Sequence, residues 1–436
     1  MNSSTEVAPV APTFSTAVRF WFVLGCISFG GPAGQIAVMH TELVDKRRWI
    51  DEASFLRALN VCMLLPGPEA MQLAAWLGWR LHGVRGGLVA GGLFVVPAAV
   101  LLAGLSWLYV RFGESPVATG VVFGLQAAVL GIIAYAARKI GGRVLKTPFA
   151  FVLALLALAA IALAAVPFPA VVAGAALAGL AVRRWRPQWL AAPTSAHGAP
   201  GVASALPTAS LGAGYSVRIG IALLLAWWLP LLALAAWPGP GSTAFAMGLF
   251  FSKAALVTFG GAYAVLPYVA EEAVRTHGWL DAGQMMAGLG LAETTPGPLV
   301  LVLEFVGFVG GWQQPDLASP LASALLGAAV SLWATFLPSF LFVLVLAPWI
   351  DRIGDAGAVA AALSAVTAAV VGVIAHLALW FGAALLSGQT TAAAAFAVVV
   401  AVVTYVGLAR WHWPVAAVVV GAGVLGALAQ TVLTIV

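Results

Sequence analysis

Residues Cys62–Trp79 read "CMLLPGPEAMQLAAWLGW", and residues Ala292–Phe308 read "AETTPGPLVLVLEFVGF". Both are apolar runs interrupted by Pro-Gly-Pro, at Pro66-Gly67-Pro68 and Pro296-Gly297-Pro298, and both carry carboxylates beside the break. The offset between the two copies is 230 (296 less 66). At the same offset Phe29-Gly30-Gly31 recurs as Phe259-Gly260-Gly261, and Trp49-Ile50-Asp51 as Trp279-Leu280-Asp281. Further on, Phe94-Val95-Val96-Pro97 returns as Thr335-Phe336-Leu337-Pro338, and Ala127-Ala128-Val129 as Ala368-Ala369-Val370, both at offset 241. The increase in offset fits a loop around Trp312 to Pro320 that the first half lacks. Several rare motifs in register identify an internal duplication.

Composition fixes the solvent. Of 436 residues, 62% are hydrophobic and 8% charged, and mean hydropathy is +1.04. Soluble domains carry about 25% charged residues, so this chain has too few to cover a water-facing surface. The apolar runs suit helices and show no short alternating strands, which points to an all-α polytopic membrane protein. The net charge of +5 is mostly loop lysine and arginine and reports topology, not nucleic-acid binding. Met1–Phe14 lacks a basic n-region, so no cleavable signal peptide is expected. Cys26 and Cys62 lie in apolar runs and read as small buried hydrophobes. With no Cys/His cluster, neither a metal nor another cofactor is expected.

Each half reads as about six apolar segments: 15–39, 54–81, 86–110, 117–137, 148–166 and 168–183, then 243–269, 283–311, 320–349, 357–386, 391–409 and 412–434. The domains predicted are an N-terminal repeat (1–183), a linker rich in Pro, Ala, Ser and Gly (184–218), a connecting transmembrane helix (219–237) and a C-terminal repeat (243–436). That makes about 13 spans, and the odd connecting span inverts the second half relative to the first. With the N-terminus inside, fourteen cationic residues fall on the inner side. Only Lys46, Arg47, Arg48 and Arg111 fall outside, as the positive-inside rule requires. The Lys46–Arg48 cluster is the exception, and it is explained if the broken first segment does not cross. Inverted repeats with matched Gly/Pro-interrupted segments are the signature of secondary transporters, whose sites lie near the bilayer midplane.

The stretch "FWFVLGCISFGGPAGQIAVMHTELVDKRRWIDEASFLRALNVCMLLPGPEAMQLAAWLGW" (20–79) resembles the first-half signature of the chromate ion transporter family. "FFSKAALVTFGGAYAVLPYVAEEAVRTHGWLDAGQMMAGLGLAETTPGPLVLVLEFVGF" (250–308) resembles its second-half signature. The resemblance covers most of both halves. It implies a long, two-domain oxyanion transporter of the bacterial inner membrane, exporting chromate and conferring resistance, with sulfate as competitor. Implied partners are a chromate- or sulfate-like oxyanion, the bilayer and protons; a homodimer stays open.

A tetrahedral dianion at mid-membrane needs donors and positive potential. A broken helix exposes backbone N–H groups where its macrodipole is positive. Proline suits a first turn and glycine allows close approach. The expected substrate cage is therefore Phe29, Gly30, Gly31, Pro32, Pro66, Gly67, Pro68, Phe259, Gly260, Gly261, Thr295, Pro296, Gly297 and Pro298. Lys253, which matches a lysine of the family motif, is the expected counter-charge, with snorkelling to the interface as its plainer role. Arg57 reads as interfacial or pathway-lining. Glu69, which matches the family's "LPGPE", Glu293 and Glu304 are gating or proton-coupling candidates; capping is the plainer role for Glu69. An acid in an anion site must be protonated, paired or set back from the ion.

Moving one charge through 100 mV is worth about 2.3 kcal/mol, so an inside-negative membrane favours dianion export by roughly 5 kcal/mol per 100 mV. Export needs no other drive, whereas sulfate accumulation would need cotransport or exchange. A sulfate transporter or exchanger, a passive anion channel, and an enzyme using Glu69 and Glu293 as acid and base are the alternatives. The enzyme reading is weakened because HExxH, GxSxG and Walker A motifs are all missing from the sequence.

Overall fold

The computed structural model describes residues 12–29, 31–113, 115–189, 213–259, 261–352 and 357–433. Among these there is no strand; the regular structure of the described residues is all helical. In order the helices are α1 (Phe14–Ile27), α2 (Gly31–His40), α3 (Glu52–Cys62), α4 (Glu69–Phe112), α5 (Pro116–Val144), α6 (Pro148–Ala164), α7 (Phe168–Trp185), α8 (Ala213–Ala236), α9 (Thr243–Val257), α10 (Ala262–Glu271), α11 (Ala282–Thr294), α12 (Val302–Gln313), α13 (Pro320–Leu346), α14 (Gly357–Leu386), α15 (Thr391–Arg410) and α16 (Val415–Leu433). Six of them, α4, α5, α8, α13, α14 and α15, are long and apolar enough to cross a membrane. The chain is an all-helical polytopic membrane protein. Most of the predicted linker lies outside the described residues, and its last six positions are already helical, as the start of α8.

The duplication is written in the backbone. The pairs α1/α9, α2/α10 and α3/α11 begin and end at nearly the same offset as the motifs, and single-turn π segments, Thr41–Lys46 and Glu272–Thr276, follow α2 and α10. Arg48 and Gly278, at matching positions, both have positive φ (50° and 60°). Asp51 and Asp281 then cap α3 and α11, accepting from Ser54 N and Gln284 N.

The broken segments fold back instead of running straight on. After the break behind α1, the chain returns so that Arg47 stacks on the Phe20 ring at 5.0 Å and Trp49 meets it at 5.2 Å. Phe20 lies two helical turns before Ser28, so a continuing helix would carry Arg47 away from it. The second half repeats this fold-back, with His277 and Trp279 at 5.9 and 5.6 Å from Phe250. Likewise α11 and α12 form a hairpin with Pro296–Pro298 at its tip: Gln313 Nε2 donates to Gln284 Oε1 at 3.0 Å, joining the open ends. Helix α4 is itself two antiparallel arms. They meet at a turn where His82 and Gly83 are non-helical, and Gly78 there packs on the Gly86 backbone. In the second half the longer link between α12 and α13 takes that turn's place, and it is the insertion predicted from the change in offset.

The first-half hairpins open beside the His82 turn, where His82 Nε2 lies 3.0 Å from the Pro12 carbonyl. The second-half hairpins open at the far end of the arm 84–112, where Tyr109 meets Phe305 at 5.3 Å. That arm spans about 43 Å at the helical rise, so the two sets of tips meet partway along it. Close approach relies on small residues: Gly307 faces the Gly327 backbone, Gly124 faces Ala422 and Gly372 faces Ala154. Cys62 is buried as expected; Cys26 is exposed, a correction, because it lies on the outward face of α1.

Candidate functional site at the hairpin tips

Four chain breaks converge: 28–31 and 66–68 from the first half, 258–261 and 296–298 from the second. Gly30 and Gly260, expected site residues, lie outside the described residues. Their neighbours Gly31 and Gly261 have φ of 71° and 94°, and Gly67 and Gly297 have 122° and 90°. These are conformations that L side chains avoid, which explains glycine at each tip.

Each tip is braced by the opposite half. Gly67 N–H donates to the Thr258 carbonyl at 2.9 Å, and Gly297 N–H donates to the Ser28 carbonyl at 2.8 Å. Ser28 Oγ and Thr258 Oγ1 in turn donate to Leu24 and Ala254 carbonyls, both at 2.5 Å. Every member of one set stands at the repeat offset from its counterpart. Behind the tips the long helices also match. A Cβ on Gly67 would meet Ser339 Oγ, and one on Gly297 would meet Ala98 Cβ, each the residue after the paired Pro338 and Pro97. One expectation changes here: the Gly67 and Gly297 amides are spent on protein carbonyls and do not face an anion.

The available donors are elsewhere. Hairpin helices that start away from the tips carry side-chain caps: Thr13 on α1, Asp51 on α3, Ser242 on α9 and Asp281 on α11. Helices starting at the tips do not. Gly261 before α10, Pro68 before α4 and Pro298 before the turn leading into α12 offer no side-chain cap. Ala264 and Leu301 N–H turn back to the Gly261 and Pro298 carbonyls at 3.0 and 2.9 Å, while the first two N–H groups of each start have no intrahelical acceptor and carry the positive end of the dipole. Gly31, the first residue of α2, stands in the corresponding place in the first half.

A cavity of about 200 Å³ opens at the first break, lined by Phe29, Gly31, Glu293, Thr295, Gly297 and Leu299. Pro414, Val415 and Ala416, where α16 begins, close its wall. At the second break the Glu69 carboxylate oxygens lie 3.5 and 3.8 Å from where a Cβ on Gly261 would stand. Each break thus faces one acid, but from non-equivalent positions. Glu69 follows its Pro-Gly-Pro, whereas Glu293 precedes its own. Tyr263, two residues beyond Gly261, donates its hydroxyl to Glu293 Oε1 at 2.5 Å and so links the two breaks. Pro32, Pro66 and Phe259 lie at the tips, half-buried; Pro68, Pro296 and Pro298 are buried there.

Two glutamines unforeseen from the sequence complete the clamp. Gln35 Nε2 donates to the Gly297 and Ser28 carbonyls (2.6 and 3.2 Å), and Gln72 Nε2 to the Pro66 carbonyl (2.7 Å). Both are fully buried, and Gln35 Oε1, Gln72 Oε1, Thr335 Oγ1 and Ser339 Oγ have no hydrogen-bond partner in the structure. The available signal was a lone amide in an apolar helix, since buried polar groups are normally paired.

Three expected residues are not at the tips. Lys253 is exposed on α9, close enough to His277 to act on its imidazole electrostatically. Arg57 is half-buried on α3 and donates to Ser54 Oγ at 3.0 Å, one turn back. Glu304 is buried on α12 with Oε2 unpaired, about 9 Å along the chain's helical rise from Pro298. Among the described residues no three His, Cys, Asp or Glu side chains cluster as metal ligands would.

Comparison with known proteins gives one consistent answer. The Chromate transporter family pattern matches residues 15–180 and 245–427. A chromate transport protein of Cupriavidus metallidurans is 31% identical over 84% of this chain and 82% of its own length. One of Pseudomonas aeruginosa is 31% identical over 86% and 82%. A probable chromate transport protein of Synechococcus elongatus is 26% identical over 86% of each chain. No solved structure matches.

Proposed function

Because the chain belongs to the chromate transporter family, we propose that it is a secondary transporter exporting chromate, a tetrahedral dianion, across the bacterial inner membrane, and thereby confers chromate resistance. The observation carrying this reading is the set of uncapped helix starts at three of the four tips, while helices starting elsewhere in the same hairpins are capped. An oxyanion fits there because it supplies acceptors that the protein withholds. Relatives named for chromate transport support the choice of ion.

The topology follows from the fold-backs. The 15–39, 54–81, 243–269 and 283–311 segments are returning hairpins, four per molecule, and α4 (84–112), α5–α8 and α13–α16 are nine crossings. The halves are inverted, because α8 is the odd span. This arrangement moves Lys46, Arg47 and Arg48 to the inner face and removes the exception to the positive-inside rule. The inner face then also holds Arg19, Arg80, Arg85, Arg138, Lys139, Arg143, Lys146, Arg183, Arg184, Arg186, Arg218, Arg352 and Arg410; the outer face holds only Arg111 and Arg275.

In alternating access the tips rock about the cross-braces, exposing the Gly31 and Gly261 breaks in turn. Glu69 and Glu293, each beside one break, compete with the ion as tethered anions and release it by repulsion. Proton coupling enters if either acid is protonated during the cycle. Lys253 attracts the ion on the outer flank and Arg57 on the inner one. Glu304 is set back along α12 and acts on the ion only through the α12–α13 packing.

The test is flux of radiolabelled chromate and sulfate in proteoliposomes under imposed potential and pH gradients. Saturable chromate flux driven by an inside-negative potential and competed by sulfate is expected. Flux of neither ion refutes the proposal. Non-saturating flux identifies a channel, and sulfate flux with a higher specificity for sulfate makes chromate the incidental cargo.

A further inference from the structure

A second basic feature lies away from the tips. A cleft of about 470 Å³ runs between α1 and the turn after α2, lined among others by Thr16, Arg19, Phe20, Ile27, Glu42 and Arg47. The α1 residues lining it form one stripe on the helix. It starts near the open end of the hairpin and stops at Ile27, one residue before the Ser28 whose carbonyl braces Gly297. From Thr16 to Ile27 the helical rise makes a path of about 16 Å. Arg47 is fixed in this wall, its guanidinium 5.0 Å from the Phe20 ring and 5.2 Å from the Trp49 ring, with Nε 3.4 Å from Glu42. Glu42 is shared with Lys46 at 2.7 Å, so it only partly neutralises Arg47. Arg19 is exposed and has no ion-pair or hydrogen-bond partner among the described residues.

The matching positions of the second repeat differ. At the equivalent positions of the second repeat, Arg19 becomes Leu249, Arg47 becomes His277 and Val23 becomes Lys253. The first-half cleft has two guanidiniums near its mouth, and the matching positions of the second repeat carry one ammonium, midway along α9. Guanidinium forks match tetrahedral oxyanions better than ammonium does.

We infer that the α1 cleft is a loading site, distinct from the tips, in which Arg19 and Arg47 together hold a tetrahedral oxyanion group before it reaches the Gly31 break, and that the weaker cation set at the matching positions of the second repeat favours release on that side. This rests on the transport reading above. The tetrahedral phosphate of a lipid headgroup, with one negative charge in place of two, suits the same pair of guanidiniums, so the test separates the two sources.

The experiment measures the half-saturating concentration for chromate and sulfate uptake into everted membrane vesicles, which present the α1 side. Arg19→Gln with Arg47→Gln should raise it fivefold or more, with the maximal rate within twofold. Arg19→Lys with Arg47→Lys should recover part of that loss. Glu42→Gln should lower it about twofold, an improvement that a merely structural role would not produce. In parallel, native mass spectrometry of the full chain from phosphatidylglycerol nanodiscs reads lipid retention. Phosphatidylglycerol kept by the wild type and lost by the double glutamine variant identifies the lipid phosphate as the occupant of the same site. Unchanged half-saturation together with unchanged lipid retention overturns the inference, as does a collapse of maximal rate with half-saturation unmoved. If the wild type carries neither ion, the transport reading falls, while loss of retained lipid in the double variant still supports the cleft.

Discussion

The two Pro-Gly-Pro tips share a backbone and differ in their side chains. Gly67 and Gly297 both take left-handed φ and both donate to a carbonyl of the opposite half. Around that common frame, the first tip has Glu69 after it, Gln72 as clamp and Ser339 behind; the second has Glu293 before it, Gln35 as clamp and Ala98 behind. Duplication supplied the geometry twice, and the side chains then diverged. Backbone symmetry suits two alternating states of one site; the membrane potential sets the direction, and the side chains set how tightly each state holds the ion. The asymmetry resides in the acids and in the flanking cations.

The most damaging test attacks what is shared. Gly67→Val should abolish transport and destabilise the protein, because φ near 122° excludes a side chain and a Cβ there would collide with Ser339. Overpacking costs about 1–3 kcal/mol, and the backbone conformation adds to it. Gly297→Val should match it, at 2.7 Å from Ala98 Cβ. Gly92→Ala, with nothing within 4 Å, is the control, and flux with thermal melting reads all three. Equal tolerance at all three sites would break the shared-frame account.

Next come the acids, where the halves should part. Glu69→Gln removes the negative charge beside Gly261, so the dianion should bind about tenfold more tightly and leave more slowly; half-saturation and maximal rate should fall together. Glu293→Gln should give a smaller change in the rates, since Tyr263 already shares its charge. Tyr263→Phe strips Glu293 of that donor. With hydrogen bonds to charged groups worth about 1.5–3 kcal/mol, it should lower the melting temperature while Glu69→Gln does not. Identical behaviour of the two acids would remove the proposed asymmetry.

The smallest effects belong to the hairpin bases. Asp51→Ala and Asp281→Ala each delete a cap worth about 1 kcal/mol. Asp281 should cost more, because Gln284 bonds back to it in a reciprocal capping box. Thermal melting orders the pair.

Much of this was legible beforehand. Pro-Gly-Pro and Gly-Gly at fixed offsets located all four tips, and Glu69 and Glu293 were picked out by their place beside them. Lys253 and Arg57 were read by distance along the chain, as if each broken segment continued straight, and the fold-back puts Lys253 on the flank instead. Gln35, Gln72, Tyr263 and Pro414 were not foreseen. Their partners lie in other helices, and no spacing along the chain announces such a contact.

By itself the sequence determined the solvent, the duplication and the positions of the breaks. These depend on composition and on local backbone chemistry: a bilayer needs apolar runs, proline withholds an N–H, and glycine alone accepts the tip φ values. Only the tertiary structure decided that the broken segments turn back, that each tip is braced by the opposite half, and which acid faces which break. A freed N–H or carbonyl must be satisfied somewhere, but its partner here is a group in the other half of the chain, chosen by packing and not by any property of the break.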